Sequence, residues 1–515
     1  MKIQIVAFVF LLFLVACKQS TPAEQASDKL GQIEIQVTGS EEAIPHFEKG
    51  LLLLHSFEYE DAAVEFKQAR AIDPDMVMAY WGEAMTHNHP LWSRVNIDDA
   101  RGILNELGET KEARLSKAKT DLEKDFLEAV ELLFGEGEKL ERDDAYALHL
   151  GKMHKKYSDN NEVSAFYALS LLGSVDEGRD VEVYAKGAEI AQQILDKNPE
   201  HPGALHYLIH SYDDPDHAHK AVYAADNYSK VAPDAGHALH MPSHIYIAMG
   251  NWDDVISSNV ASFEASKVRK QEKDLSNEAL GYHAFQWLMY GYLQKGELEN
   301  ATRVVREMEQ YSDGLKSPRA RSYRAMMEAN YRTDTENWVA DAVSLATNVD
   351  DLNISMQAVQ AYVDAMVSYH SGDLENVQTE FDSLSFKRKK AQDKVLQRGV
   401  SMCSNVGWYQ QLPTQVEVNQ AHVIEMEIAS FLEMKKGNDS AVEELLKKAT
   451  KLEEETSFMF GPPTIAKPSH ELYGDWLLSK GRHNEARTQY EKALERAPGR
   501  RLSMKGLEKA NTKNI

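Results

Sequence analysis

His206 and His210 stand four residues apart, and so do His240 and His244. On a helix that spacing puts two imidazoles on one face, where both can bind the same ion. The acidic pair Asp213-Asp214 follows the first His pair closely and offers an oxygen ligand or a group that orients a ring. An imidazole-rich set of His206, His210, His240 and His244 suits zinc or copper. Pro242 lies between the second pair and threatens its spacing, because proline starts or kinks a helix. Two other readings fit the same residues. One is a metal-free wall of histidines and tyrosines that binds a peptide or small anion; the other is packed histidines, hydrogen-bonded to backbone or to Asp213 and Asp214. If the chain is an enzyme, Asp213, Asp214 and Tyr290 are the acid–base candidates.

No Gly-rich phosphate loop, Gly-x-Ser-x-Gly elbow or His-Glu-x-x-His helix occurs in the sequence. The two cysteines, Cys17 and Cys403, are too few for a disulfide scaffold or a cysteine zinc site. Cys403 reads as a structural thiol, and Lys387-Arg388-Lys389-Lys390 as a solvated basic face. The 515 residues carry 57 Lys plus Arg against 81 Asp plus Glu, a formal charge of −24. Such an acidic chain is not expected to bind nucleic acid, which requires a basic face to displace counterions.

The first residues carry an address. Lys2 precedes an apolar run, residues 3–14, shorter than the ~20 residues of a membrane-spanning helix. It ends in Leu14-Val15-Ala16-Cys17, which resembles the lipobox of bacterial lipoproteins. The resemblance implies removal of residues 1–16, diacylglycerol on Cys17 and attachment to a membrane of the bacterial cell envelope. Lys18 stands where an Asp would signal inner-membrane retention, which favours the outer membrane, facing the periplasm. Residues 17–42 read as a tether with one short strand at Ile33–Val37.

The elements that must position the histidines repeat with a period of 34 residues. Counting from Ala43, Gly50 is position 8, Ala62 is 20, Phe66 is 24, Ala69 is 27 and Pro74 is 32; Gly474, Ala486, Tyr490, Ala493 and Pro498 repeat the register from Lys467. Small residues at 8, 20 and 27 let two helices approach, an aromatic at 24 fills the gap, and Pro at 32 ends the second helix. The pattern resembles the tetratricopeptide repeat. It implies an all-α solenoid, a right-handed superhelix of antiparallel helix pairs. The segments run 43–100 for the N-terminal repeats, 101–200 for degenerate ones, 201–310 for the His-rich ones, 311–460 for further repeats and 461–515 for a last repeat and cap. Asn88–Trp92, His206–Pro215, His240–Ile245 and Phe460–Pro463 resemble segments of a family of bacterial tetratricopeptide proteins, a resemblance that implies architecture but no chemistry.

In the tetratricopeptide family, positions 2, 5, 9, 12 and 13 of the first helix line the concave groove. The resemblance therefore places His206, His210, Asp213 and Asp214, then His237, His240 and His244, then His283 and Tyr290, on one surface, with His89 further along it. The implied function is a groove that holds a protein, peptide or small ligand. The Lys, Asn and Arg of the family's carboxylate clamp are missing there.

Overall fold

The computed structural model describes residues 29–175, 178–339, 345, 347–395, 413–459 and 461–512. The lipobox with Cys17, the Cys403 segment and Phe460 lie outside the described residues. The chain is an all-α array of antiparallel helix pairs, beginning with Ile44–His55 against Tyr59–Ile72 and ending with Ser469–Ser479 against His483–Arg496 and a capping helix, Arg501–Asn511. No described helix is long and apolar enough to cross a membrane.

The repeat register has the physical basis expected of it. A Cβ on Gly50 would lie 2.9 Å from the ring of Phe66, and one on Gly82 would lie 2.3 Å from that ring. Tyr490 is enclosed in the same way by Gly474 and Gly506, at 2.8 and 2.3 Å. Each aromatic thus fills a slot that exists because two neighbouring helices lack side chains there. The interlock also survives in the degenerate region, where a Cβ on Gly151 would meet Tyr167 at 3.1 Å.

Three features differ from the sequence expectation. Residues 33–37 alternate in exposure as a strand would, yet they pair with no ladder; the described sheet is the two-stranded hairpin Asn88–His89 with Arg94–Val95. The segment instead runs over the body, with Leu30 3% exposed, the Gln32 N–H donating to Glu200 O at 2.9 Å and the Thr38 N–H to Glu123 Oε1 at 2.6 Å. From residue 29 onward it is therefore packed and no tether.

Pro242 does interrupt the helix, dividing it into Gly236–His240 and Pro242–Met249. Met241 between them keeps helical angles, φ −53° and ψ −37°, so the axis continues and the spacing of the His pair survives.

Most consequentially, the array closes on itself. The first pair of helices packs on the middle of the chain, where Arg269 donates to Asp61 at 2.9 Å and the Tyr228 hydroxyl donates to Ser56 at 3.1 Å. The C-terminal end packs there too: Trp252 donates to Gly499 O at 3.1 Å, and the buried guanidinium of Arg500 reaches Tyr290 at 3.0 Å and Glu471 at 2.8 Å. Two large cores, one built from residues before 250 and one from residues after 260, meet at a small seam of Ile247, Val255, Trp287 and Tyr290.

Candidate metal centre

The histidines lie beside that seam. Helix Pro202–Tyr212 presents His206 and His210; it opens with Pro202, and its first turn is capped by His201, whose Nδ1 accepts the Ala204 N–H at 3.1 Å. His237, His240 and His244 come from the interrupted helix, and His283 from helix Tyr282–Lys295. The side chains expected on an open groove are interior. His206, His210, His244 and Asp213 are fully buried and His240 is 1% exposed, while His237 and His283 are half-buried. Closure of the array fills the concave space, so the ring of Phe57 rests 4.2 Å from that of His206.

The expected four-histidine set is rearranged into two adjoining triads, His206–His210–His237 and His240–His244–His283. Within each, one ring nitrogen per residue lies within 4.8 Å of the others. The rings of His210 and His244, one from each triad, are 5.2 Å apart.

The hydrogen bonds fix which nitrogens carry protons. His206 Nδ1 lies 2.7 Å from the backbone carbonyl of His55, which only accepts, so Nδ1 donates. His240 Nδ1 lies 2.6 Å from Asn259 Oδ1, and the Asn259 amide is oriented by its own donation to Val255 O at 2.7 Å. The Nδ1 atoms of His210 and His244 both donate to Asp213 Oδ2, at 3.3 and 3.0 Å. Asp213 is in turn held by Arg179, which donates to Oδ1 at 2.7 Å and to the carbonyl of Ser211 at 2.8 Å. Burial alone would raise the Asp213 carboxyl, but Arg179 and the two histidines outweigh it and keep the group ionised far below the usual range.

With Nδ1 protonated in all four residues, the Nε2 atoms are bare. Those of His240 and His244 face each other at 3.2 Å, and His206 Nε2 lies 3.2 Å from His237 Nε2, which can donate to it. His210 Nε2 is buried and has no hydrogen-bond partner among the described residues. Desolvation, followed by neighbouring imidazoles, pushes His206, His237 and His240 well below their usual range, and burial lowers His210 to about 4. Two Zn–N bonds of about 2.0–2.1 Å at a tetrahedral angle place their nitrogens about 3.3 Å apart, close to the separation seen here. Donation of the far ring nitrogen to carboxylate, carbonyl or amide oxygen is the outer arrangement that orients metal-bound histidines.

A third cluster is different. His55 Nε2 and His201 Nε2 lie 2.7 and 3.1 Å from the two oxygens of buried Glu162, while His55 Nδ1 meets the Tyr207 hydroxyl at 2.9 Å. Every nitrogen there has a partner, so the cluster ties the first helix to its neighbours and leaves nothing for an ion.

The remaining expected residues fall outside the triads. Asp214 Oδ1 accepts the N–H groups of Asp216 and His217, both at 3.0 Å, and so builds the turn after helix Pro202–Tyr212. Tyr290 is engaged by Arg500, and His89 stacks on Tyr59 at 3.9 Å, with burial lowering its pKa to about 4. Sequence reasoning missed His55, Arg179 and Asn259, which act through single long-range contacts without a local pattern.

Arg179 pairs with both Asp213, at 2.7 Å, and Asp214, at 3.3 Å, and Glu58 accepts the His237 N–H at 2.8 Å, so carboxylates stand close to the histidines. An ion held there would lower the pKa of bound water.

No family model and no curated protein matches the chain. Among solved structures it is similar to the APC/C hetero-tetramer Cut9-Hcn1 at 12% identity and TM-score 0.36, over 93% of this chain and 78% of that one. It is also similar to yeast Tom70 at 12% identity and TM-score 0.32, over 92% and 96%. The human IFIT1 dimer with m7Gppp-AAAA is a third, at 11% identity and TM-score 0.35, over 94% and 83%. The helix pairs and their glycine–aromatic interlocks make the chain a helical-repeat protein of the tetratricopeptide type.

Proposed function

We propose that this chain is a metalloprotein holding two transition-metal ions of the zinc or copper class, one in each histidine triad. The observation that carries the reading is the approach of His240 Nε2 to His244 Nε2 at 3.2 Å, with both Nδ1 atoms committed as donors. Unshared pairs at that distance repel unless a cation lies between them. His206, His210 and His237 hold one ion, His240, His244 and His283 the other, and Asp213 orients one ligand of each. Bound there, the ions supply Lewis acidity or redox chemistry. The test is elemental analysis of the tag-free protein purified without chelator. About two ions per chain are expected, falling by half or more in His206→Ala/His210→Ala; a folded wild-type chain with no zinc or copper overturns the reading.

We further propose that the protein works in the bacterial cell envelope, anchored by lipid on Cys17, as Leu14-Val15-Ala16-Cys17 suggests. Fractionation tests this: Cys17→Ser is expected to move the protein from membrane to soluble fractions, and unchanged membrane recovery argues against the anchor.

A further inference from the structure

Helices Asp439–Glu455 and Ser469–Ser479 are joined by residues 456–468, a connection far longer than the turn 480–482 that follows the second of them. Connections of about a dozen residues are uncommon in a compact array and generally carry a task. The part from Gly461 to Pro468 is fixed against the protein. Gly461 turns left-handed, at φ 92°, and a Cβ there would lie 2.5 Å from the Trp287 ring. Asn330 Nδ2 donates to Pro463 O at 3.1 Å, and Arg500 Nη2 donates to Ala466 O at 3.2 Å, both from buried side chains. A position that only glycine fills and two interior donors on the backbone make this segment a built wall.

The wall bounds a cavity of about 110 Å³. Its lining joins Ile247 and Ala248, from the middle of the chain, to Ile465 and Ala497, near the end, so it exists only because the array closes. Since an apolar cavity of about 150 Å³ holds benzene, this one takes a body of about six or seven non-hydrogen atoms. The ionisable side chains on the lining are already engaged. Arg496 donates to the carbonyls of Glu453 and Thr456 at 2.8 and 3.3 Å, and Glu453 accepts the Ser469 N–H at 2.7 Å. His470 Nε2 meets Glu454 at 2.9 Å, and the Tyr290 hydroxyl meets Arg500 at 3.0 Å.

Two neutral polar groups on the lining are not engaged in that way. Gln420, 7% exposed, accepts the Ser355 hydroxyl on Oε1 at 2.7 Å, which leaves its Nε2 amino group without an acceptor among the described residues. Thr464, also 7% exposed, has a hydroxyl with no hydrogen-bond partner among the described residues. Interior donors left in that state are costly until something in the cavity pairs with them.

We propose that this cavity binds a small uncharged amide with an apolar body. The amide carbonyl accepts from Gln420 Nε2, its N–H donates to Thr464 Oγ1, and its hydrocarbon part fills the side formed by Ile247, Ala248, Ile465 and Ala497. A carboxylate or ammonium ligand is disfavoured, because the lining offers one free amide and one hydroxyl against the cost of desolvating a charge. The lining contains no histidine of either triad, and the site does not rest on the two-ion reading.

The test titrates the full chain with 2-piperidinone and follows the ligand by saturation-transfer NMR, with pentanoate as a charged comparator of equal size. Saturable binding of 2-piperidinone at about 1 mM or below is expected, with pentanoate at least tenfold weaker. Ala248→Leu, which extends a side chain into the cavity, is expected to abolish saturation. Thr464→Val keeps the shape and removes the hydroxyl, and Gln420→Met keeps the length and removes the amide; each is expected to weaken binding about threefold or more. Thermal melting shows which variants are folded, and the near-isosteric Thr464→Val carries the test if Ala248→Leu is not. Absence of saturation with the wild-type chain, equal binding of pentanoate, or wild-type affinity in a folded Ala248→Leu, Thr464→Val or Gln420→Met chain overturns the site.

Discussion

Asp213 is the residue on which both triads converge, since one of its oxygens accepts Nδ1–H from His210 and from His244. Asp213→Asn replaces an acceptor with a group that also donates, and an amide N–H aimed at Nδ1 moves the imidazole proton to Nε2, where the ion must bind. Loss of such an outer partner costs roughly 10–100-fold in metal affinity. That loss is expected here for both ions, read by competition with a chromophoric chelator; a change confined to one ion, or none, means that Asp213 does not set the tautomers. Much of the residue level was legible. The two His pairs, Asp213, His237 and His283 stand in one stretch of sequence at helical spacings. Their division into triads was not, because it depends on how three separate helices rotate against one another. Nor were the acceptors: the His55 carbonyl, 151 residues from His206, has no side-chain signature at all.

The elements obey a simpler rule, that each repeat aromatic fills a space vacated by glycine. Phe66 is held from two sides, by Gly50 and Gly82, and a Cβ at position 82 would lie 2.3 Å from its ring. Gly82→Ala therefore forces the ring or helix Val77–Met85 to shift, at about 1–3 kcal/mol. It is expected to lower the midpoint of chemical denaturation, and Phe66→Leu in the same chain to recover part of the loss. A Gly82→Ala chain as stable as wild type argues against a tight interlock. The register made Gly50 and Phe66 readable from the spacing alone, because the period is fixed by helix-pair geometry. The strand expected at Ile33–Val37 fails for a complementary reason. Alternating exposure records one buried face, and that segment buries its face against helices with no second strand to complete a ladder. Likewise, Pro242 removes one N–H from the His240–His244 helix without changing its axis, so the helix boundary moved while the chemistry did not.

At the scale of the molecule, closure converts an expected groove into an interior. A solenoid period specifies how neighbours stack but not whether distant repeats meet. Here they meet through contacts with no periodic signal: Phe57 on His206, Trp252 on Gly499, and Arg500 on Tyr290 and Glu471. The Arg500 guanidinium is fully buried between Glu471 and Asp334, an arrangement that is costly to break once formed. Metal binding should consequently be felt far along the chain. At a thousandfold excess of ion over its dissociation constant, linkage supplies about 4 kcal/mol, or about a thousandfold in the opening equilibrium of any segment whose opening releases the ion. Such segments include the ligand-bearing helices Pro202–Tyr212, Pro242–Met249 and Tyr282–Lys295. Because the ring of His206 is pinned by the carbonyl of His55, they also include the end of helix Ile44–His55, which contributes no ligand. Hydrogen exchange with and without saturating metal is expected to show strong slowing in those four helices and none in Asp439–Glu455, which holds none of the six histidines. In an open solenoid, helix Ile44–His55 would exchange at the same rate in both states. Slowing there, at a distance of some 150 residues in sequence, is thus the measurement that joins closure of the fold to occupation of the site.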